Sequence, residues 1–385
     1  WSMKPAIICL PITIPADVKP GLALTPFTVW TVSKLLALSS VCSINLTGMK
    51  YAGMGSNEVT GRFTTFKKIM DRLGMRFDSY WLDNEQSHVK SLQGYCDELA
   101  SSHCLRSEHL EILSCDCGAV EILKDAVSSK WATERKLIKD VDGQLQCRLC
   151  HSILKSDASQ VLVLNSGFNG NPITAFPTFY QKEVDSLQAE YNQPVLVSRK
   201  RKLGNKVWLF GREWTLDTDF CWSFLFRSLQ KAGFDSEVVV ISNRSIKPLV
   251  LSYGISRKTG ANIKPISAIV TPLATIKGGL ASTSHQITIP SLVDRYGATP
   301  VRFLLGDCLK WEQKDLVVDS SIIFWTMKAL EKAADYTETA AKVVSIREAL
   351  SMSDGNSIAS FITGMRRSEK VSLTPYQKLL LGKDT

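Results

Sequence analysis

Two pairs of cysteines lie close enough in the chain to hold one metal ion. Cys115-Asp116-Cys117 and Cys147-Arg148-Leu149-Cys150 each form a short thiol-bearing turn. Zinc takes four ligands in a tetrahedron, and two such turns can supply two thiolates each. The Cys147–Cys150 spacing is that of a zinc knuckle, whereas Cys115–Cys117 is one residue tighter than usual. His109 and His151 are reserve ligands. Four protein ligands leave no open coordination position, so a zinc held here would be structural. The plainer alternative is two unrelated thiol pairs in a reducing compartment. The other cysteines, Cys9, Cys42, Cys96, Cys104, Cys221 and Cys308, read as core or surface thiols. With no secretion signal recognisable, reduced thiols or metal ligands are expected and a disulfide framework is not.

A second chemical feature is the basic run Arg199-Lys200-Arg201-Lys202. The whole chain carries a formal charge of +9, which suits a nucleic acid or another polyanion. The run could contact a nucleic-acid backbone or act as a nuclear-import patch, and it fits a solvated turn equally well. Trp208, Trp214 and Trp222 lie close together and could line a pocket or fill a core. Ser282, Thr283 and Ser284 have no acid–base partner in the sequence, so no nucleophile and no catalytic residue is assigned.

The elements that must position these groups alternate between strand and helix. Ala6–Ile14 reads as a buried strand, Phe27–Leu38 as a helix, and Val41–Thr47 as a second strand, the pattern of a right-handed crossover in a parallel sheet. Ala6–Pro15 lacks the positive flank and cleavage site of a signal peptide. No apolar run approaches the roughly 18 residues of a membrane span, so a cytoplasmic protein without membrane contact is expected. Glu58–Leu73 and Glu85–Ala100 read as helices. From Ser101 to Leu164 charged residues, short strands and the cysteine pairs dominate, which marks an inserted module. Ser166–Pro177 reads as a loop, Phe179–Tyr191 and Cys221–Ala232 as helices. Val207–Phe210, Glu237–Ser242 and Ile263–Pro272 read as strands. Ala274–His285 is a Gly/Ser/Thr-rich loop. Helices follow at Ser291–Tyr296, Thr299–Leu309 and Ser320–Leu350.

One segment has a specific likeness. Ile289-Pro290-Ser291-Leu292-Val293-Asp294-Arg295-Tyr296-Gly297-Ala298-Thr299-Pro300-Val301-Arg302-Phe303-Leu304-Leu305 resembles the "P-x-x-L-x-D-x-Y-G-x-D-A-L-R-x-x-L-L" helix pair of class I aminoacyl-tRNA synthetases. Val197-Ser198-Arg199-Lys200-Arg201-Lys202-Leu203-Gly204 is similar to the "I-S-R-x-x-x-W-G" segment of the methionyl, valyl and leucyl enzymes. Leu73-Gly74-Met75-Arg76-Phe77-Asp78 is similar to the "L-G-I-x-F-D" before their insert. Cys147–Cys150 sits where the methionyl insert carries a zinc knuckle. The likeness covers about residues 6–310. It implies an α/β fold: a Rossmann-like parallel sheet (class I synthetase core) with a zinc-knuckle insert and a short C-terminal helical appendage. The expected divisions are 3–100 for the first half of the core, 101–165 for the inserted module, 166–310 for the second half and 311–385 for the appendage.

The resemblance fails where the family handles ATP. Its "H-I-G-H" histidines, which stabilise the transferring phosphate, fall on Ala23 and Pro26, and its adenine-facing glycine falls on Thr25. The "K-M-S-K-S" loop becomes Gly279-Leu280-Ala281-Ser282-Thr283, with only Lys277 nearby. The "G-T-D-E-H-G" segment becomes Gly48-Met49-Lys50-Tyr51-Ala52-Gly53, and Lys50 reverses the charge of an acid, favouring a carboxylate or phosphate over an ammonium group. The resemblance places the amino-acid pocket around Thr13, Lys50, Asp219 and Trp222. The expectation is a synthetase-like protein that has lost amino-acid activation, for which ATP is doubtful as a ligand. It would bind tRNA, aminoacyl-tRNA or an amino-acid-derived group, and it could transfer an acyl group in specialised metabolism. Two rivals stay open: an inactive scaffold serving a protein partner, and an ATP-dependent ligase with altered residues.

Overall fold

The computed structural model describes residues 3–15, 17–47, 54–129, 137–165, 173–189, 194–200, 204–259, 264–276, 288–308 and 315–318. Its centre is a six-stranded sheet built from β1 (Lys4–Cys9), β2 (Ser39–Ile44), β3 (Ser79–Leu82), β4 (Ile173–Phe176), β5 (Phe234–Ser242) and β6 (Ile266–Thr271). The spatial order is β3-β2-β1-β5-β6-β4, and every neighbouring pair is parallel.

Side chains alternate across a strand, so a sheet covered on both faces needs apolar residues at consecutive positions. The run Ala6-Ile7-Ile8-Cys9 meets that need. Ala6 and Ile8 enter one apolar layer with Val239, Ile241 and Val270. Ile7 and Cys9 enter the opposite layer with Val238, Val240 and Ile269. Helices Pro20–Leu36, Ser56–Arg72, Ile289–Tyr296 and Ala298–Cys308 cover the second layer through Phe27, Phe66, Leu292 and Leu304. Helices Gln86–Ser101, Gln181–Ala189, Leu225–Lys231 and Ile246–Lys258 cover the first through Tyr95, Val184, Leu225 and Leu249. The expected Rossmann-like α/β core is present.

The chain leaves the core after helix Gln86–Ser101 to build the insert. Leu105–Ser114, Glu121–Leu123 and Lys155–Leu164 form an antiparallel sheet, completed by Val195–Leu196 from the chain beyond the insert. A separate hairpin, Ile138–Val141 with Gln144–Cys147, carries the second cysteine turn. After the insert, Ser198–Arg199, Arg212–Leu216 and Lys206–Leu209 make a three-stranded sheet.

Several elements depart from their sequence reading. The first helix begins at Pro20, not near Phe27, because a proline in the first turn loses no helical hydrogen bond there. Part of the expected loop Ser166–Pro177 is the edge strand β4. The helix expected over Cys221–Ala232 is two pieces, Thr218–Trp222 and Leu225–Lys231. Helix Ile246–Lys258, absent from the sequence reading, is nearly all buried, so it lacks the polar stripe that would have revealed its period. Of the expected loop Ala274–His285, the described start belongs to a strand, Leu273–Ile276, which pairs with Asp315–Val318. The helix expected at 320–350 lies outside the described residues. Among the described residues no helix is long and apolar enough to cross a membrane.

Candidate functional site

Open parallel sheets bind ligands at the carboxyl ends of their strands, where the strand order reverses. Here that point is the junction of β1 and β5, flanked by the end of β2. Beyond Cys9 the chain stays beside β2. The Ile12 amide donates to the Ser43 carbonyl at 3.0 Å, and the Asn45 amide donates to the Ile12 carbonyl at 2.9 Å. This places Thr13 against Asn45, whose side-chain amide donates to the Thr13 hydroxyl at 2.7 Å.

The next residues meet a buried carboxylate. Asp83, directly after β3, is 1% exposed. Its Oδ1 accepts the Leu46 amide at 2.7 Å and the Thr47 amide at 2.9 Å. Its Oδ2 accepts the indole N–H of Trp222 at 3.2 Å. Burial raises the Asp83 pKa, and the Thr47, Leu46 and Trp222 donors oppose that shift. A buried carboxylate with donors on both oxygens is a rigid tie. It fixes the Asn45–Thr47 segment to the helix that carries Trp222. The Thr47 hydroxyl is buried and has no partner among the described residues.

Across the sheet end, helix Pro20–Leu36 carries the residues that the resemblance sets against the "H-I-G-H" motif. Ala23, Thr25 and Pro26 are all buried inside the helix. The Thr25 hydroxyl meets the Thr271 hydroxyl at 3.1 Å, and Thr271 donates to the Ile241 carbonyl at 3.1 Å. The Thr25 side chain is therefore tied to the end of β6.

The four cysteines converge. The Sγ atoms of Cys115, Cys117, Cys147 and Cys150 all lie within 4.8 Å of one another. Zinc–sulfur bonds in a tetrahedron imply sulfur separations of about 3.8 Å, and the Cys117–Cys147 pair stands at 3.9 Å. Backbone amides already point at the sulfurs: Val120 at Cys115 (3.2 Å) and Leu149 at Cys147 (3.4 Å). Burial works against ionising Cys115, but the Val120 amide, the Cys117 and Cys147 thiols and the Ala119 amide together outweigh it and the pKa falls. The Ser152 hydroxyl, 3.1 Å from Cys150 Sγ, pulls that thiol down to about 6. Cys115 and Cys150 are thereby set up to be thiolates, the form a metal requires, whereas at Cys117 the Ala119 amide favours the thiolate but the neighbouring Cys115 and Cys150 thiols push the pKa up to about 12. The donor set fits zinc as a closed structural site. His109 and His151, the reserve ligands, are not part of the cluster, and His151 Nδ1 lies instead 3.5 Å from the Lys139 ammonium.

The basic run divides. Arg199 is engaged internally: Nε donates to Asp217 at 2.7 Å and an Nη donates to the Glu121 carbonyl at 2.7 Å. The Lys200 ammonium donates to Asp157 at 2.6 Å on the surface. Arg201, Lys202 and Lys50 lie outside the described residues. Thr13 and Trp222 are brought to the same segment, Asn45–Thr47. Asp219 instead lines a cleft between core and insert, with Glu121, Arg199, Asp217, Phe220 and Lys247. Trp214 is buried and Trp208 exposed. Sequence reasoning missed Asp83, Asn45 and Thr271, each of which follows or ends a core strand; that position, one past an apolar run, was the available signal.

No protein-family model and no curated protein matches the sequence. Solved structures do match. The Mycobacterium tuberculosis methionyl-tRNA synthetase in complex with methionyl-adenylate shares 13% identity at a TM-score of 0.66, covering 99% of this chain and 82% of that one. The free-state form of the same synthetase shares 12% identity at a TM-score of 0.63, covering 100% of this chain and 81% of that one. The parallel core, the insert and the cysteine cluster thus belong to a molecule with the fold of a methionyl-tRNA synthetase, a class I synthetase core.

Proposed function

We propose that this protein keeps the synthetase scaffold and its amino-acid end but has given up ATP-dependent amino-acid activation. The carrying observation is the Thr25–Thr271 contact at the position where the family's glycine admits adenine. Ala23 and Pro26, in place of the histidines, add to it, since neither can donate to a phosphate. Losing one preorganised donor of this kind typically costs 10²–10³ in rate, and both histidine positions are changed. The solved neighbour holds methionyl-adenylate; here the Thr25 side chain stands at the position matched to the adenine-facing glycine.

The other half of the site supports a ligand. Thr13, Asn45, Thr47, Asp83 and Trp222 make a polar and aromatic group at the switch point. We assign it to an aminoacyl or amino-acid-derived group, delivered on tRNA and favoured by the +9 charge. Transfer of that acyl group to another acceptor is the reaction class that needs no ATP. The reduced thiols and the metal-capable knuckle suit the cytoplasm.

The test is calorimetry of the zinc-loaded chain with ATP, alone and with methionine or other amino acids. No heat of binding is expected. Micromolar ATP binding that tightens with an amino acid would overturn the reading in favour of a ligase. A gel shift with charged and uncharged tRNA then tests the donor: preference for charged tRNA is expected, and no shift with either would point to a scaffold.

A further inference from the structure

The metal-capable turn and the Trp222 helix are joined through one arginine. Cys115 and Val120 close a turn, with the Cys115 amide donating to the Val120 carbonyl at 3.2 Å and the Val120 amide to the Cys115 sulfur. The next residue, Glu121, is 9% exposed. Its carbonyl accepts an Nη of Arg199, and both its carboxylate oxygens lie 3.1 Å from the Lys200 amide. The Nε of the same guanidinium donates to Asp217 Oδ2. Asp217 Oδ1 caps helix Thr218–Trp222 by accepting the amides of Asp219 (2.9 Å) and Phe220 (3.4 Å). That helix ends at Trp222, whose indole is held by Asp83. Arg199 and Asp217 are largely buried, with side chains 14% and 16% exposed.

We propose that Arg199 is a positioning residue that transmits the metal state of the cysteine knuckle to Trp222. The knuckle is the two-state element. Among the described residues its core is small, with seven buried residues including Cys115, Val120 and Cys147, and in such modules metal binding is folding energy. Order in the Cys115–Val120 turn fixes Glu121, Glu121 fixes the guanidinium, and the guanidinium fixes the cap of the Trp222 helix. A planar fork can serve two acceptors at once, which an ammonium on a flexible stem does poorly. This coupling is separate from whether ATP binds, so either statement can fail alone.

The full-length chain, labelled with ¹⁵N-tryptophan and loaded with zinc, is stripped by a chelator under reducing conditions. The Trp222 indole resonance, assigned with Trp222→Phe, and the amide exchange of Asp219 and Phe220 are read before and after. Stripping is expected to move the resonance and speed that exchange about tenfold, within the usual range of coupling between sites, while Trp30 on the opposite face of the sheet keeps its resonance. In Arg199→Lys, stripping should no longer move Trp222. The proposal is overturned if stripping loosens residues 115–120 and leaves Trp222 unchanged, or if Arg199→Lys responds like the parent chain. It is also overturned if Trp30 collapses together with Trp222, because the metal would then support the whole core and not this helix.

Discussion

Single buried groups carry the strongest consequences. His88 is 2% exposed, packs edge-on against Trp81 at 4.8 Å and places Nδ1 2.9 Å from the Ser228 hydroxyl. Burial lowers its pKa from 6.5 to about 4, against a smaller opposing effect from the Cys221 backbone. Between those values the unfolded chain binds a proton that the folded chain refuses. Stability is therefore full above pH ~6.5 and falls as pH drops toward ~4, by about 3 kcal/mol from this residue. Urea unfolding at pH 7.5 and pH 5 captures about 2 kcal/mol of that loss, and His88→Gln should reduce the difference by a similar amount; an unchanged pH dependence would refute this account. The knuckle offers a second residue-scale outcome. Cys147 is fully buried among the sulfurs, so Cys147→Ser should lower bound zinc from about one equivalent to near none, as measured by metal analysis after gel filtration.

Turns and caps show where local structure works against its residues. Helix Pro20–Leu36 ends at Ala37 with φ 52°, a left-handed conformation that favours glycine. The hairpin after Lys206–Leu209 turns through Phe210 at φ 52° and Gly211 at φ 78°. The first position of such a turn favours Asn, Asp or Gly. Ala37→Gly and Phe210→Asn should each stabilise the chain by about 1 kcal/mol, visible as higher urea midpoints with unchanged slopes. A lower midpoint would mean that Phe210, 49% exposed, packs against something that offsets its strain. The same scale explains which elements could be read from sequence. β1 was legible because an apolar run bounded by prolines has few other interpretations. β4 was hidden because Gly, Asn and Pro surround its four residues, and only pairing with β6 makes Ile173–Phe176 a strand. The cysteine pairs were legible as ligands from spacing, but nothing in the sequence could reveal that Asp83, far from Trp222 in the chain, would hold its indole.

At the scale of the molecule, a fold has survived at 13% identity because its requirements are coarse: apolar runs for a sheet buried on both faces, and helices with one apolar side. Chemistry is less tolerant of substitution than the fold is. The insert is organised differently from the core. The knuckle has its own small cluster of Leu113, Val120, Ile122, Ile138 and Leu154 around the cysteines. The strands beside the core feed Leu105, Leu162 and Leu164 into the main apolar layer. Among the described residues the apolar side chains buried in the knuckle are too few to support an independent module without metal, whereas the two large layers around the parallel sheet are expected to stand without it. Chelation should therefore split thermal unfolding into two steps. The knuckle would melt first, with a small loss of β-structure signal, and the core would unfold later in a separate cooperative transition. In the zinc-loaded chain the first step should vanish and reappear on adding chelator. One transition, shifted as a whole by zinc, would mean that knuckle and core fold as a single unit, and that the metal stabilises the parallel sheet through contacts wider than the Glu121–Arg199–Asp217 path.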